Sequence, residues 1–343
     1  MTGRRRGAGV LLAALVAAGC GGEPDGAPPL WPAAEPFATG TLRVSELHTI
    51  HYSLAGNPEG FPAFVLHGGP GAGSDPFYGR FFDPARFLVV QHDQRGCGRS
   101  RPRLELRENT TTHLVADVEA LREELGIERM LLFGGSWGAT LALAYGEAHP
   151  ERVAGMILRG PFLATAAEVD HLYHGGAAAF FPDDHARLRE ALPDPDARPL
   201  PDSLVAWLTE RGPATRRRVA RAWARWEFNL ARLESPRERV ERIIQDDAAL
   251  DDLAAIAGLE AWYTAHGCFL EEGQLLRDAG RLAGIPVTIV VGRYDMVCPP
   301  ANAHRLHAAL PGSRLIIAEG AGHSIVEEPV LRALLAAVRD FAP

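Results

Sequence analysis

A hydroxyl is a poor nucleophile at neutral pH, so a serine that attacks carbonyl carbon needs an exposed, strained setting and a base beside it. Gly134-Gly135-Ser136-Trp137-Gly138 matches the G-x-S-x-G elbow that supplies the setting. There the serine sits on a sharp strand-to-helix turn, and the flanking glycines let neighbouring backbones pass closely. His67-Gly68-Gly69-Pro70-Gly71 lies upstream, where glycines let backbone N–H groups approach a developing oxyanion. The expected donors are the N–H groups of Gly69 and Trp137, with Gly68 against the bound substrate. Asp295 and His323 are the candidates for the remaining roles. His323 would take the serine proton; Asp295 would fix the imidazole tautomer and stabilise the imidazolium. The chain has 13 histidines, and His323 is singled out by its glycine turn, Gly320-Ala321-Gly322-His323-Ser324, after the last apolar strand.

These residues need a scaffold that brings distant segments together. Short apolar runs at 64–66, 87–90, 130–133 and 153–158 read as strands, each followed by a turn or an amphipathic helix. Leu114, Val115, Val118, Leu121 and Leu125 share one helical face that ends at Gly126, and 139–148 reads as a helix apolar nearly all round. Such alternation implies a parallel sheet covered on both faces. It stops from 163 to 283, which reads as helices and Pro-rich loops without a strand. Strand character returns at 287–291 and 315–317, and an amphipathic helix over 329–341 closes the chain. The order Ser, Asp, His and this layout specify an α/β-hydrolase fold: a mostly parallel sheet, helices on both faces, and an inserted helical cap. The expected division is 41–162 and 284–343 for the core and 163–283 for the cap.

Beyond single residues, HGGPG at 67–71, DQRGCGRS at 93–100, ENTT at 108–111, GGSWG at 134–138, GRYDMVCP at 292–299 and GAGHS at 320–324 together resemble the proline iminopeptidase family. The resemblance covers about residues 41 to 342. It implies a serine aminopeptidase that releases N-terminal proline from peptides through an acyl-enzyme, without metal or organic cofactor. It also implies two cap glutamates that meet the charged substrate N-terminus: Glu227, in a Trp-Glu pair, and Glu260, in Leu259-Glu260-Ala261-Trp262-Tyr263. A protonated amine in a partly dehydrated pocket needs carboxylate partners, which also exclude blocked N-termini. Val219, Trp223, Trp226, Leu230 and Leu233 form a helical stripe, with Glu227 four residues after Trp223. The second segment departs from the family at Ala261-Trp262, where a His or Tyr is common. The loop at 93–100 suits a structural role beside the site. Rival readings are a larger-fragment aminopeptidase, an esterase, a lactonase, or a non-catalytic hydrolase-fold binding protein. Epoxide hydrolases and dehalogenases place Asp at the elbow, which Ser136 counts against.

Composition excludes other classes. Hydrophobic residues are 47% of the 343 and charged residues 23%, ordinary globular usage, and the formal charge of −8 lacks the basic footprint of nucleic-acid binding. Arg4-Arg5-Arg6, an apolar run over 9–18 and small residues before Cys20 resemble a bacterial lipoprotein signal, in which 1–19 is removed and Cys20 is lipidated. The expected location is then the cell envelope, with plain secretion as the alternative and 20–40 as a flexible tether. Cys97, Cys268 and Cys298 form neither a zinc spacing nor a disulfide framework, and one bridge among them is open.

Overall fold

A computed structural model describes residues 30–193 and 195–341; the leader and Cys20 lie outside them. The chain opens on an antiparallel pair, β1 (Ala38–Arg43) and β2 (Thr49–Gly56). Six more strands follow: β3 (Phe61–Leu66), β4 (Phe87–Asp93), β5 (Met130–Gly135), β6 (Val153–Arg159), β7 (Val287–Gly292) and β8 (Arg314–Ala318). They make one sheet in the order β1-β2-β4-β3-β5-β6-β7-β8, parallel from β4 to β8. The central strands are buried on both faces, which is why they read as unbroken apolar runs. Neighbouring side chains point to opposite faces: Leu132, Leu158 and Ile289 pack on one side, Phe133, Ile157 and Val290 on the other.

The core helices are α1 (Thr111–Glu124), capped by the Thr110 side chain, and α2 (Trp137–Ala148), whose residues 137–147 are all buried. Between β6 and β7 the chain leaves the sheet and builds the cap from α3 (Ala166–Tyr173), α4 (Pro182–Glu190), α5 (Leu200–Thr209), α6 (Pro213–Leu230), α7 (Arg237–Ile243), α8 (Asp247–Ala265) and α9 (Gln274–Arg277). The cap has its own apolar core around Tyr173, Leu204, Trp223 and Trp226. Back in the sheet region, α10 (Pro300–Ala309) follows β7 and α11 (Glu328–Asp340) follows β8.

Two local expectations shift. Leu233 is not part of the α6 stripe: the helix ends at Leu230, capped by Ala231, and Leu233 is 47% exposed. There the chain turns toward the loop that carries His323, and the Leu233 N–H is taken by Glu327 at 2.9 Å. β1 begins at Ala38, inside the stretch read as a tether, and Trp31 is held to Arg80 by bonds in both directions at 2.9 Å.

Candidate active site

β5 delivers Ser136 at the carboxyl edge of the sheet, at φ 57° and ψ −126°, a conformation rare for a residue with a side chain. The turn is possible only because its neighbours lack side chains. A Cβ on Gly134 would lie 2.3 Å from the Gly138 carbonyl oxygen, and one on Gly138 would lie 2.0 Å from that of Leu66. As the first residue of α2, Trp137 has an N–H with no acceptor inside the helix. Gly68 approaches so closely that a Cβ there would stand 3.4 Å from the Ser136 Cβ, and Gly68 and Gly69 line the same cavity as Ser136.

The ends of β7 and β8 bring in the other two residues. Asp295 Oδ1 accepts N–H groups from Val297 at 3.0 Å and Cys298 at 2.8 Å, which frees Oδ2 to lie 2.7 Å from His323 Nδ1. Burial pushes the His323 pKa below the ordinary histidine value; Asp295 pulls it up and Arg159 pushes it further down. An imidazole bonded to Asp295 through Nδ1–H presents Nε2 as an acceptor. In the free protein Nε2 is met by Arg159 Nη1 at 2.8 Å, and the same nitrogen donates to the His323 carbonyl at 2.9 Å. Sequence reasoning passed over Arg159. The available signal was a charged residue closing an otherwise apolar strand at the edge where the nucleophile emerges.

The 93–100 loop builds the floor. Gln94 Nε2 donates to the His67 carbonyl at 2.9 Å, and its Oε1 accepts from Trp137 Nε1 at 2.9 Å, tying the glycine loop to the elbow. Arg95 makes a two-pronged pair with buried Asp117, both contacts at 2.7 Å. Burial raises the Asp93 pKa, but bonds from Ser74 and Arg99 outweigh it and hold the carboxyl below the usual range.

Above the sheet, the cap covers a partly open cavity of about 150 Å³ lined by Ser136, His323, Arg159, Phe162, Glu227 and Glu260, among others. Glu260, on α8, is buried and accepts from the Tyr173 hydroxyl and from Trp223 Nε1, the latter at 3.1 Å. Glu227, on α6, has Oε1 shut off from water without a hydrogen-bond partner. Burial pushes its pKa well above the carboxylate range, with Glu260 beside it adding to the rise; burial likewise lifts Glu260 to about 7. Neither carboxylate has an arginine or histidine partner among the ion pairs of the described residues. Trp262, at the point of departure from the family pattern, turns away from the cavity and donates to the Asn109 carbonyl at 3.1 Å; Thr264 lines the cavity instead. Cys97, Cys268 and Cys298 are buried free thiols, and no cluster suited to a metal ion occurs among the described residues.

A family model for the alpha/beta hydrolase fold matches residues 62–330. The chain is 44% identical over 314 residues to a probable proline iminopeptidase of Leptolyngbya boryana, covering 91% of this chain and 96% of the relative. It is 42% identical to the proline iminopeptidase of Arabidopsis thaliana, covering 90% and 80% respectively. Among solved structures, an esterase from Exiguobacterium antarcticum superposes with a TM-score of 0.59 at 20% identity, covering 85% of this chain and 95% of that one. An N-acyl homoserine lactone degrading enzyme does so with the same score and identity, covering 88% and 100%. At that identity the two structures speak for the fold alone.

Proposed function

The chain belongs to the proline iminopeptidase family of α/β hydrolases, and from that membership we infer that it is a prolyl aminopeptidase acting on peptides with a free N-terminus. The observation that carries the substrate class is the pair Glu227 and Glu260, two carboxylates without a cation, facing the same cavity as Ser136. Two buried carboxylates in contact are a poor arrangement for an empty protein and a good one for a site that receives an ammonium group. An ester or lactone brings no charge to compensate them.

In this reading the proline ring lies among Phe162, Leu172 and Ile256, with its nitrogen toward the glutamates and its carbonyl over Ser136. Arg159 yields His323 Nε2 to the Ser136 hydroxyl, because the lone pair there accepts one donor at a time. His323 takes the proton as Oγ attacks, Asp295 steadies the imidazolium, and the N–H groups of Gly69 and Trp137 receive the oxyanion. The peptide amine leaves with the proton from His323, and water, activated by the same histidine, releases proline from Ser136. No metal or organic cofactor enters these steps.

A chromogenic panel tests the substrate class: unblocked Pro-, Ala- and Leu-amides, N-blocked Pro-amide and a short-chain ester. Free Pro-amide is turned over fastest and the blocked form not at all. Equal turnover of blocked and free Pro-amide overturns the reading. The proposed location is the cell envelope, by lipidation at Cys20; its support is the series of basic, apolar and small residues that ends there.

A further inference from the structure

Glu327 stands at the mouth of β8's loop, one residue before α11, and its two oxygens divide their work. Oε2 accepts the N–H of Gly322 at 3.0 Å and that of Ser324 at 3.2 Å, the residues on either side of His323. Oε1 accepts the N–H of Leu233 at 2.9 Å, three residues past the end of the helix that carries Glu227. The two segments also touch directly: a Cβ on Gly322 would lie 3.0 Å from Leu233 N and 3.2 Å from the Arg232 carbonyl carbon. One carboxylate thus holds the loop of the general base and the continuation of an amine-binding helix at once.

We propose that Glu327 is a positioning residue that registers the cap against His323, so that substrate-amine recognition and proton transfer share one fixed frame. It touches no reacting atom. A carboxylate suits the task because three N–H donors converge on it from two directions; a glutamine has one acceptor oxygen, and its NH2 group faces donors on the other side. The cap has other ties to the core, such as the His171 Nε2 contact with the Met296 carbonyl at 2.9 Å, so loss of this one leaves the cap attached. The inference rests on the aminopeptidase reading for its substrate arm only.

The experiment compares proline p-nitroanilide with p-nitrophenyl acetate on wild type, Glu327→Gln, Glu327→Asp and Leu233→Pro. Proline at 233 removes the N–H that Oε1 accepts and sets its ring carbon against that oxygen, which breaks the cap side of the contact. In Glu327→Gln, kcat for both substrates falls about tenfold or more and KM for the anilide rises about tenfold, while KM for the ester stays within about twofold. Glu327→Asp, which keeps the charge, restores part of both losses. In Leu233→Pro the anilide KM rises, and ester kcat falls less than in Glu327→Gln. Wild-type kinetics in Glu327→Gln overturn the proposal, as does an unchanged anilide KM in both Glu327→Gln and Leu233→Pro. If circular dichroism shows Glu327→Gln unfolded, the aspartate and proline variants decide by the same readings. A wild type that cleaves the ester and not the anilide defeats the aminopeptidase reading, while the ester kcat still tests the hold on His323.

Discussion

Ser136 and Arg159 show how differently two residues of one site are exposed to sequence reasoning. Ser136→Ala removes the hydroxyl proposed to be acylated, so turnover falls on the order of a thousandfold or more with the fold retained. A fluorophosphonate probe read by mass spectrometry marks the wild type at Ser136 and leaves the variant unmarked; label on another residue refutes the assignment. The elbow was legible because its constraint is local: glycines must flank a serine for three backbones to meet. Arg159 was not, because its partner is 164 residues away and only the sheet order brings β6 beside the loop of His323. Its guanidinium opposes a positive imidazole, so Arg159→Gln removes a repulsion and raises the His323 pKa. Catalysis needs the neutral imidazole, and the acid limb of kcat/KM therefore moves to higher pH. A limb that stays in place or moves to lower pH refutes the repulsion assigned to Arg159.

α6 and α8 were legible as helices, and the stripe on α6 correctly faced the cap interior as far as Leu230. What the pattern lacked was a reason for the glutamates to turn inward, since a Glu on an amphipathic helix ordinarily faces water. The reason is tertiary: each helix presents its carboxyl to the same cavity, and Glu260 accepts from Tyr173 on α3 and from Trp223 on α6. Replacing Glu227 or Glu260 with Gln removes a charge-assisted bond of roughly 1.5–3 kcal/mol, so kcat/KM for a free Pro-amide falls about ten- to a hundredfold. A neutral ester of similar size changes little. Losses of the same size on both substrates would make the glutamates structural. The pair also dictates a pH dependence. Glu260 is raised to about 7, so as pH falls through that value the pair takes up a further proton and loses charge. KM for the cationic amide then climbs on the acid side while KM for the ester stays flat, which steady-state kinetics at a series of pH values resolves.

At the scale of the whole molecule, the proposed peptide site is a partly open cavity between cap and sheet, and the proposed address lies in the first residues. With Cys20 lipidated, the protein made in a bacterial host sediments with membranes and Cys20→Ser releases it; wild type left soluble with residues 1–19 still attached refutes the anchor. The architecture was legible from alternation alone, because parallel strands buried on both faces leave apolar runs that a chain cannot disguise. The docking of cap on core was not, since in contacts such as Glu327 with Leu233 the carboxylate meets a backbone N–H, and any residue but proline at 233 would supply that donor. The insertion also sets a timetable. β6 and β7 are neighbours in the sheet, yet residues 160–286 separate them in sequence, so their pairing closes a very long loop. Closing such a loop comes late in folding, because its entropy is lost before the contact forms. A chain emerging from N to C terminus therefore presents its serine first and acquires Asp295 and His323 last. Until then it carries its serine without the proposed base, and the site is not yet assembled.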